Sequence, residues 1–98
     1  MLAELTARVG KLVDGKDAVG FNVKFDMGDT GKIHVAGENA PMVVSNDDGE
    51  AETTFKISGD DLSSMLSGDL NAMNAYMQGK LVVEGDLAKA MQLSSLFS

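Results

Sequence analysis

The sequence predicts an α+β fold with five strands and about four helices. Apolar residues occupy every second position through the middle of the chain, which is strand periodicity, and recur at three- and four-residue steps towards both ends, which is helical periodicity. A chain of 98 residues with 44% hydrophobic content suits one core. We therefore expect residues 1–98 to form a single domain.

The first element is predicted to be an amphipathic helix over residues 2 to 13. Its apolar positions fall at helical spacing and are Leu2, Leu5, Val9, Leu12 and Val13. The helix should end near Gly15, because glycine tolerates the backbone conformation that follows a helix.

The clearest strand signal runs from Val19 to Met27, where every odd position is apolar. The GDTG sequence at 28–31 predicts a hairpin loop that leads into a second strand around Ile33 and Val35. Each of these strands should present one face to the core.

Two further strands are predicted after the hairpin. Residues 42–45 form a short third strand that completes an antiparallel meander, and residues 51–57 alternate again as a fourth. The polar turn NDDGE at 46–50 separates them. Its acidic side chains are expected to be solvated.

The rest of the chain predicts three helices and a fifth strand. Ser58 begins a capping box ahead of a helix that Gly68 ends, and a second helix runs to a stop at Gly79. Residues 81–83 alternate as a strand, and Asp86 can cap a final helix. The apolar face of that helix carries Leu87, Ala90, Met91 and Phe97.

Composition excludes several classes of function. Fifteen acidic against eight basic residues give a net charge of −7, which repels nucleic acid and anionic lipid headgroups. Without cysteine the chain has neither disulfides nor a thiolate metal site. The absence of a long apolar run and of an apolar leader predicts a cytoplasmic protein without stable membrane insertion.

No pattern of catalytic or metal-binding residues is visible. The acidic loop at 26–31 lacks the third and twelfth ligands of a calcium loop, and Gly15-Lys16 lacks the glycine spacing of a phosphate loop. His34, the sole histidine, has no nucleophile or carboxylate near it in sequence. We interpret His34 as a strand residue that points away from the core, and expect no cofactor and no metal.

The methionines are more informative. Four of them lie on the helices that follow the fourth strand, namely Met65, Met73, Met77 and Met91. Methionine fills gaps in ordinary cores, and its flexible side chain also suits a pocket that accepts alkyl chains of different shape. Composition alone leaves both interpretations open.

A family resemblance favours the pocket. Tyr76 and Met77 are followed by Gln-Gly-Lys at 78–80, an apolar strand, Gly85-Asp86, and a helix with the pattern Ala-Met-x-Leu at 90–93. This ordered set resembles the C-terminal half of the sterol carrier protein 2 (SCP2) family. The N-terminal half fits the same family by pattern.

The resemblance implies a mostly antiparallel sheet with its helices packed on one face, enclosing an apolar cavity. It places Gln78 where it could bind a polar group of a ligand. The residues that it implies for lipid binding are Met65, Leu66, Met73, Tyr76, Met77, Gln78, Met91 and Phe97.

The implied function is an intracellular carrier that binds one fatty acid, acyl-CoA, sterol or isoprenoid without chemistry. An alternative is an accessory module that presents a lipid-like intermediate, such as a quinone precursor, to lipid-metabolising enzymes. An enzyme that uses His34 is the third hypothesis. The sequence leaves the oligomeric state open.

The chain also departs from its eukaryotic relatives. Leu96-Phe97-Ser98 is not a peroxisomal signal, and the acidic charge replaces a basic surface. Asp69 stands where many relatives have lysine. These departures favour an untargeted or prokaryotic relative, in which a lysine contact to the ligand headgroup is lost.

Overall fold

A computed structural model describes residues 1–94 and shows a five-stranded sheet with four α-helices on one of its faces. The helices are α1 (Leu2–Val13), α2 (Gly59–Leu66), α3 (Ala72–Met77) and α4 (Leu87–Ser94). The strands are β1 (Val23–Asp26), β2 (Lys32–Ala36), β3 (Val43–Ser45), β4 (Thr53–Ile57) and β5 (Leu81–Gly85). The predicted α+β class is confirmed.

The strand order across the sheet is β3-β2-β1-β4-β5. Strands β1, β2 and β3 form the predicted antiparallel meander, and β5 runs antiparallel to β4. The pairing of β1 with β4 is parallel, with Phe25 opposite Phe55. The sheet is therefore mostly antiparallel, as predicted.

The strands are shorter than the sequence alternation indicates. The first strand was predicted from Val19 to Met27, yet only Val23–Asp26 has strand structure. Phe21 and Met27 are nevertheless buried. The alternation of apolar residues in this segment predicts which side chains enter the core. The backbone hydrogen bonds to β2 and β4 cover a smaller part of the same segment.

The apolar face of the sheet forms the core together with the helices. At its centre the rings of Phe25 and Phe55 meet edge to face, with centroids 5.4 Å apart. Such a geometry is the one that aromatic pairs prefer. Helix α1 buries Leu5, Val9 and Val13 at four-residue steps, as its spacing predicts.

Arg8 joins α1 to the end of α2. Its Nη1 donates to the Ser63 hydroxyl at 2.7 Å, and its Nη2 donates to the Ser67 hydroxyl at 2.7 Å. Nη2 also donates to the Ser63 carbonyl oxygen at 3.0 Å, an acceptor that is shared with the Ser67 amide. The two helices are thereby held together over one half of the sheet.

The opposite face of the sheet is polar and is crossed by the segment 46–52, which connects β3 to β4. Lys24 donates to Asp48 at 2.7 Å, and the Lys32 ammonium lies 3.8 Å from the same carboxylate. His34 Nε2 lies 2.9 Å from the Glu50 carbonyl oxygen. Asp48 is exposed, as expected, and in addition its carboxylate pairs with lysines on two strands and so ties the crossover to them.

The ion pair of Asp48 predicts a pH-dependent contribution to stability. The hydrogen bond from Lys24, followed by the charges of Lys24 and Lys32, lowers the pKa of Asp48. A lowered pKa in the folded state stabilises the protein above the unfolded pKa of about 3.9, and that contribution is lost as the pH falls through the folded value. Asp48→Asn should therefore lower the urea midpoint near neutral pH.

Urea unfolding of Asp48→Asn and the parent chain, followed by circular dichroism, checks this. The difference should shrink as the pH falls well below about 4. Asp47→Asn is the matched control, since it makes the same change of charge at an exposed neighbour for which no salt bridge is found within residues 1–94. Equal effects of both substitutions would contradict the role of the Asp48 pair.

Candidate functional site

An apolar pocket lies between α3, α4 and the part of the sheet formed by β4 and β5. Its volume is about 240 Å³. This is slightly below the roughly 300–1,000 Å³ of most ligand pockets. The lining residues are Phe55, Ala72, Met73, Tyr76, Leu81, Val83, Leu87, Ala90 and Met91.

The floor and the rim of this pocket differ in exposure. Phe55, Leu81 and Ala90 belong to the buried core and form the floor. The side chains of the rim are large, flexible or aromatic, and about half of each is exposed: they are Met73, Tyr76, Leu87 and Met91. The pocket therefore opens to solvent through a ring of movable apolar side chains.

The pocket offers almost no polar chemistry. Among the lining side chains of the described part of the chain, only Tyr76 carries a strong hydrogen-bonding group, the phenolic hydroxyl. Charged groups transferred into such a site would lose hydration without compensation. The pocket can accept an alkyl chain or another uncharged apolar group, with any polar part left at the rim.

Caps and turns hold α3 and α4 in place around the pocket. Asn71 Oδ1 accepts from the Met73 amide at 2.8 Å, and Asp86 Oδ1 accepts from the Lys89 amide at 3.1 Å. The second of these bonds confirms the predicted cap. Hydrogen bonds from Lys89 also lower the pKa of Asp86, so the capping carboxylate stays charged.

Gly85 is required where β5 turns into α4. Its φ is 92°, and a Cβ at this position would collide with the Glu52 carbonyl oxygen. That carbonyl accepts from the Asp86 amide at 2.9 Å, so the close approach fixes the start of α4 against β4. Glycine is the residue that permits both the backbone angle and the approach.

The structure brings together three of the residues expected to bind lipid. Met73, Tyr76 and Met91 line the pocket from α3 and α4. Met65, only 1% exposed, lies in the core, and Leu66 packs against that core.

Of the other three expected residues, two lie outside the pocket lining. Met77 is 76% exposed and Gln78 is exposed at the end of α3, and neither lines the pocket. Phe97 lies outside the described residues.

Six lining residues were not among the expected site residues. They are Phe55, Ala72, Leu81, Val83, Leu87 and Ala90. The strand residues among them were available from the alternation, since Phe55, Leu81 and Val83 occupy the inward positions of their strands. All of the expected site residues lie on the predicted helices or at their ends, so the sheet that forms the floor was omitted.

Two other depressions are less suited to an apolar ligand. One, of about 520 Å³, lies at the end of α1 and includes Asp14, Lys16 and Asp17 among its lining residues. Another, of about 420 Å³, is bordered by Asp26, Lys56 and Lys80. The first has a mixed lining of polar and apolar residues and the second a mostly polar one. Within residues 1–94 no cluster of three or more acidic, histidine or cysteine side chains could hold a metal ion.

The pocket and the one-sided sheet define a class of small α+β domains with an apolar site under their helices. A model of the SCP-2 sterol transfer family matches residues 4–98. The chain belongs to this family, and the resemblance found in the sequence is confirmed.

Individual relatives extend the comparison. Rabbit (Oryctolagus cuniculus) sterol carrier protein 2 is 37% identical over 54 residues, which are 55% of this chain and 10% of that protein. Aedes aegypti sterol carrier protein 2 in complex with palmitate has a TM-score of 0.72 at 23% identity, covering 99% of this chain and 94% of that one. The UbiJ-SCP2 ubiquinone synthesis protein has a TM-score of 0.71 at 13% identity, covering 98% and 91%. At these identities the two solved structures show the shared fold.

None of the helices described is long and apolar enough to cross a membrane.

The contact at Gly85 predicts a large effect of Gly85→Ala on stability. The substitution combines an unfavourable positive φ, worth about 1–2 kcal/mol, with the collision against Glu52. Gly79→Ala is the control, since its φ is 77° with open space around a Cβ. In chemical denaturation Gly85→Ala should lose clearly more free energy of unfolding than Gly79→Ala. Similar losses would show that the close approach at Gly85 is unimportant.

Proposed function

We propose that this chain binds one lipid through a single flexible alkyl or isoprenoid chain in the pocket between α3 and α4, and carries it without chemistry. The observation that supports this most directly is the pocket lining within residues 1–94, in which Tyr76 supplies the only strong hydrogen-bonding side chain. The chain's membership of the SCP-2 sterol transfer family and its fold likeness to a palmitate complex agree with it.

The size of the pocket favours a flexible chain over a rigid sterol. At about 30 Å³ per water-sized group, about 240 Å³ holds about eight such groups. At about 0.8 kcal/mol per methylene, eight methylenes contribute about 6 kcal/mol, near the low end of the ~4–15 kcal/mol that association costs. Tight binding therefore requires that more of the ligand's alkyl chain be covered. The side chains of Met73 and Met91 can provide this cover by closing over the ligand.

The ligand is proposed to enter chain first. A charged or strongly polar head would lose its hydration at the floor, where Phe55, Leu81 and Ala90 offer no partner. The head then stays at the rim, within reach of the Tyr76 hydroxyl or of solvent. Selectivity should follow length and bulk, at about 1–3 kcal/mol per methylene at most.

A fluorescent fatty acid displaced by unlabelled fatty acid tests this proposal. We expect saturable binding of one molecule per chain, and native mass spectrometry of the loaded protein should show the same stoichiometry. Lack of saturable binding across fatty acids, acyl-CoA and isoprenoids would refute the carrier function.

Two methionine substitutions distinguish a side chain that lines the pocket from one that fills the core. Met91 is 56% exposed and lines the pocket, so Met91→Ala should change apo stability little. Lipid affinity should fall about 5- to 30-fold, because a few lost methylene contacts are worth about 1–2 kcal/mol. Met65→Ala should instead lower apo stability by about 2–5 kcal/mol, since it empties a filled core.

Thermal unfolding with and without fatty acid distinguishes the two effects. A ligand at a hundred times its Kd adds about 2.7 kcal/mol to stability. At one fixed lipid concentration Met65→Ala should keep this increment, whereas Met91→Ala should lose much of it. The opposite pattern would place the lipid against α2 instead.

A second candidate function is the presentation of an isoprenoid-like intermediate to lipid-metabolising enzymes. The fold likeness to a ubiquinone synthesis protein supports it. Copurification of the chain with such an enzyme, weakened by Met91→Ala and restored by added ligand, would favour presentation over free transfer. Catalysis by His34 has less support, because this side chain lies on the polar face beside the Glu50 carbonyl, away from the pocket.

A further inference from the structure

The rim of the pocket belongs to a wider apolar surface. We define the mouth face as the exposed apolar side chains of α3 and α4, which are Met73, Tyr76, Met77, Leu87 and Met91. Four of them surround the pocket. Met77 lies one helical turn beyond Met73 and extends the surface past the pocket lining.

The mouth face is almost free of charge although the chain is strongly acidic. Residues 70–79, which include α3, contain no charged residue. In α4 the one charged residue is Lys89, whose ammonium lies 3.2 Å from Asp86 Oδ2. The net charge of −7 is therefore carried by other surfaces of the chain.

From this charge distribution and the position of the pocket opening, we infer that the mouth face docks on an electrically neutral lipid bilayer and transfers the ligand by direct contact. The inference rests on the proposed lipid-carrier function. An uncharged apolar surface complements a zwitterionic bilayer, whereas the acidic surfaces around it oppose anionic lipid and a second copy of this chain alike. Tyrosine and flexible methionine side chains suit the boundary between headgroups and acyl chains.

Helix α1 does not offer a competing membrane surface. It is the most amphipathic element by sequence, yet of its apolar positions Leu5, Val9 and Val13 are buried and Leu2 and Leu12 are partly buried. Only α3 and α4 combine exposed apolar side chains with an opening to the pocket within residues 1–94.

Transfer of a fluorescent fatty acid from the loaded protein to phosphatidylcholine vesicles containing a quencher tests the inference. We expect the transfer rate to rise in proportion to vesicle concentration, because docking is then part of the rate-limiting step. Replacing part of the phosphatidylcholine by phosphatidylglycerol should slow transfer, and added salt should relieve that slowing. A rate independent of vesicle concentration would show that the ligand leaves through water, and would overturn the docking while leaving the carrier function intact.

Met77→Asp isolates docking from ligand binding. The carboxylate would have to approach the bilayer, so the transfer rate should fall on the order of tenfold at unchanged fatty acid affinity. Val43→Asp is the matched control, because Val43 is 59% exposed on β3, at the sheet edge opposite β5. It should leave transfer unchanged.

Several outcomes would overturn the inference. An equal loss of rate in both variants would mean a general charge effect, and an unchanged rate in Met77→Asp would mean that the mouth face does not dock. Sedimentation showing a dimer that Met77→Asp dissociates would assign the face to a second copy. If the parent chain fails to bind fatty acid at all, the carrier function itself is refuted. Measuring fatty acid affinity before the transfer experiments distinguishes this outcome from a failure of docking.

Discussion

All four helices lie on one face of the sheet because the two faces are chemically opposite. Val23, Phe25 and Ile33 point to one side and form the core with the helices. Lys24, Lys32 and His34 point to the other side, where the segment 46–52 crosses them. Asp48 ties that crossover to the polar face. The helices therefore all pack on the other, apolar face of the sheet.

The helices cover that apolar surface unevenly, and the pocket is the result. Helices α1 and α2 are joined through Arg8 and fill their half of the core with side chains such as Leu5, Leu62 and Met65. Over β4 and β5 the cover consists of a six-residue and an eight-residue helix, whose buried positions include the small residues Ala72 and Ala90. Small side chains over Phe55 and Leu81 leave an opening that the exposed methionines border but do not fill.

The sequence predicts local structure well because local structure depends on neighbouring residues. The helix bounds of α1, the cap at Ser58, whose hydroxyl accepts from the Asp61 amide, and the turn at Gly79 all follow from nearby side chains. The parallel pairing of β1 with β4 could not be predicted, because it joins segments about thirty positions apart. The ion pair between Lys24 and Asp48 was missed for the same reason.

In the candidate site, too, the local structure was predicted and the long-range packing was not. Met65, Met73 and Met91 fall on predicted helices with similar spacing, yet one is buried in the core and two line the pocket. Helical periodicity identifies an apolar face but not what that face meets, so it cannot separate a core methionine from a pocket methionine. The distinction depends on what each helix covers: Met65 on α2 is enclosed by the core, whereas Met73 and Met91 border the pocket.

The placement of α3 and α4 involves contacts away from the methionines themselves. Gly85 allows the backbone of α4 to start against Glu52, and Gly79, where the chain bends from α3 into β5, lets the Lys80 amide donate to the Ala75 carbonyl at 2.9 Å. Both glycines adopt positive φ, so backbone turns position α3 and α4 around the pocket. A buried floor bordered by long methionine side chains suits alkyl chains of different length with little selectivity, as the proposed carrier function requires.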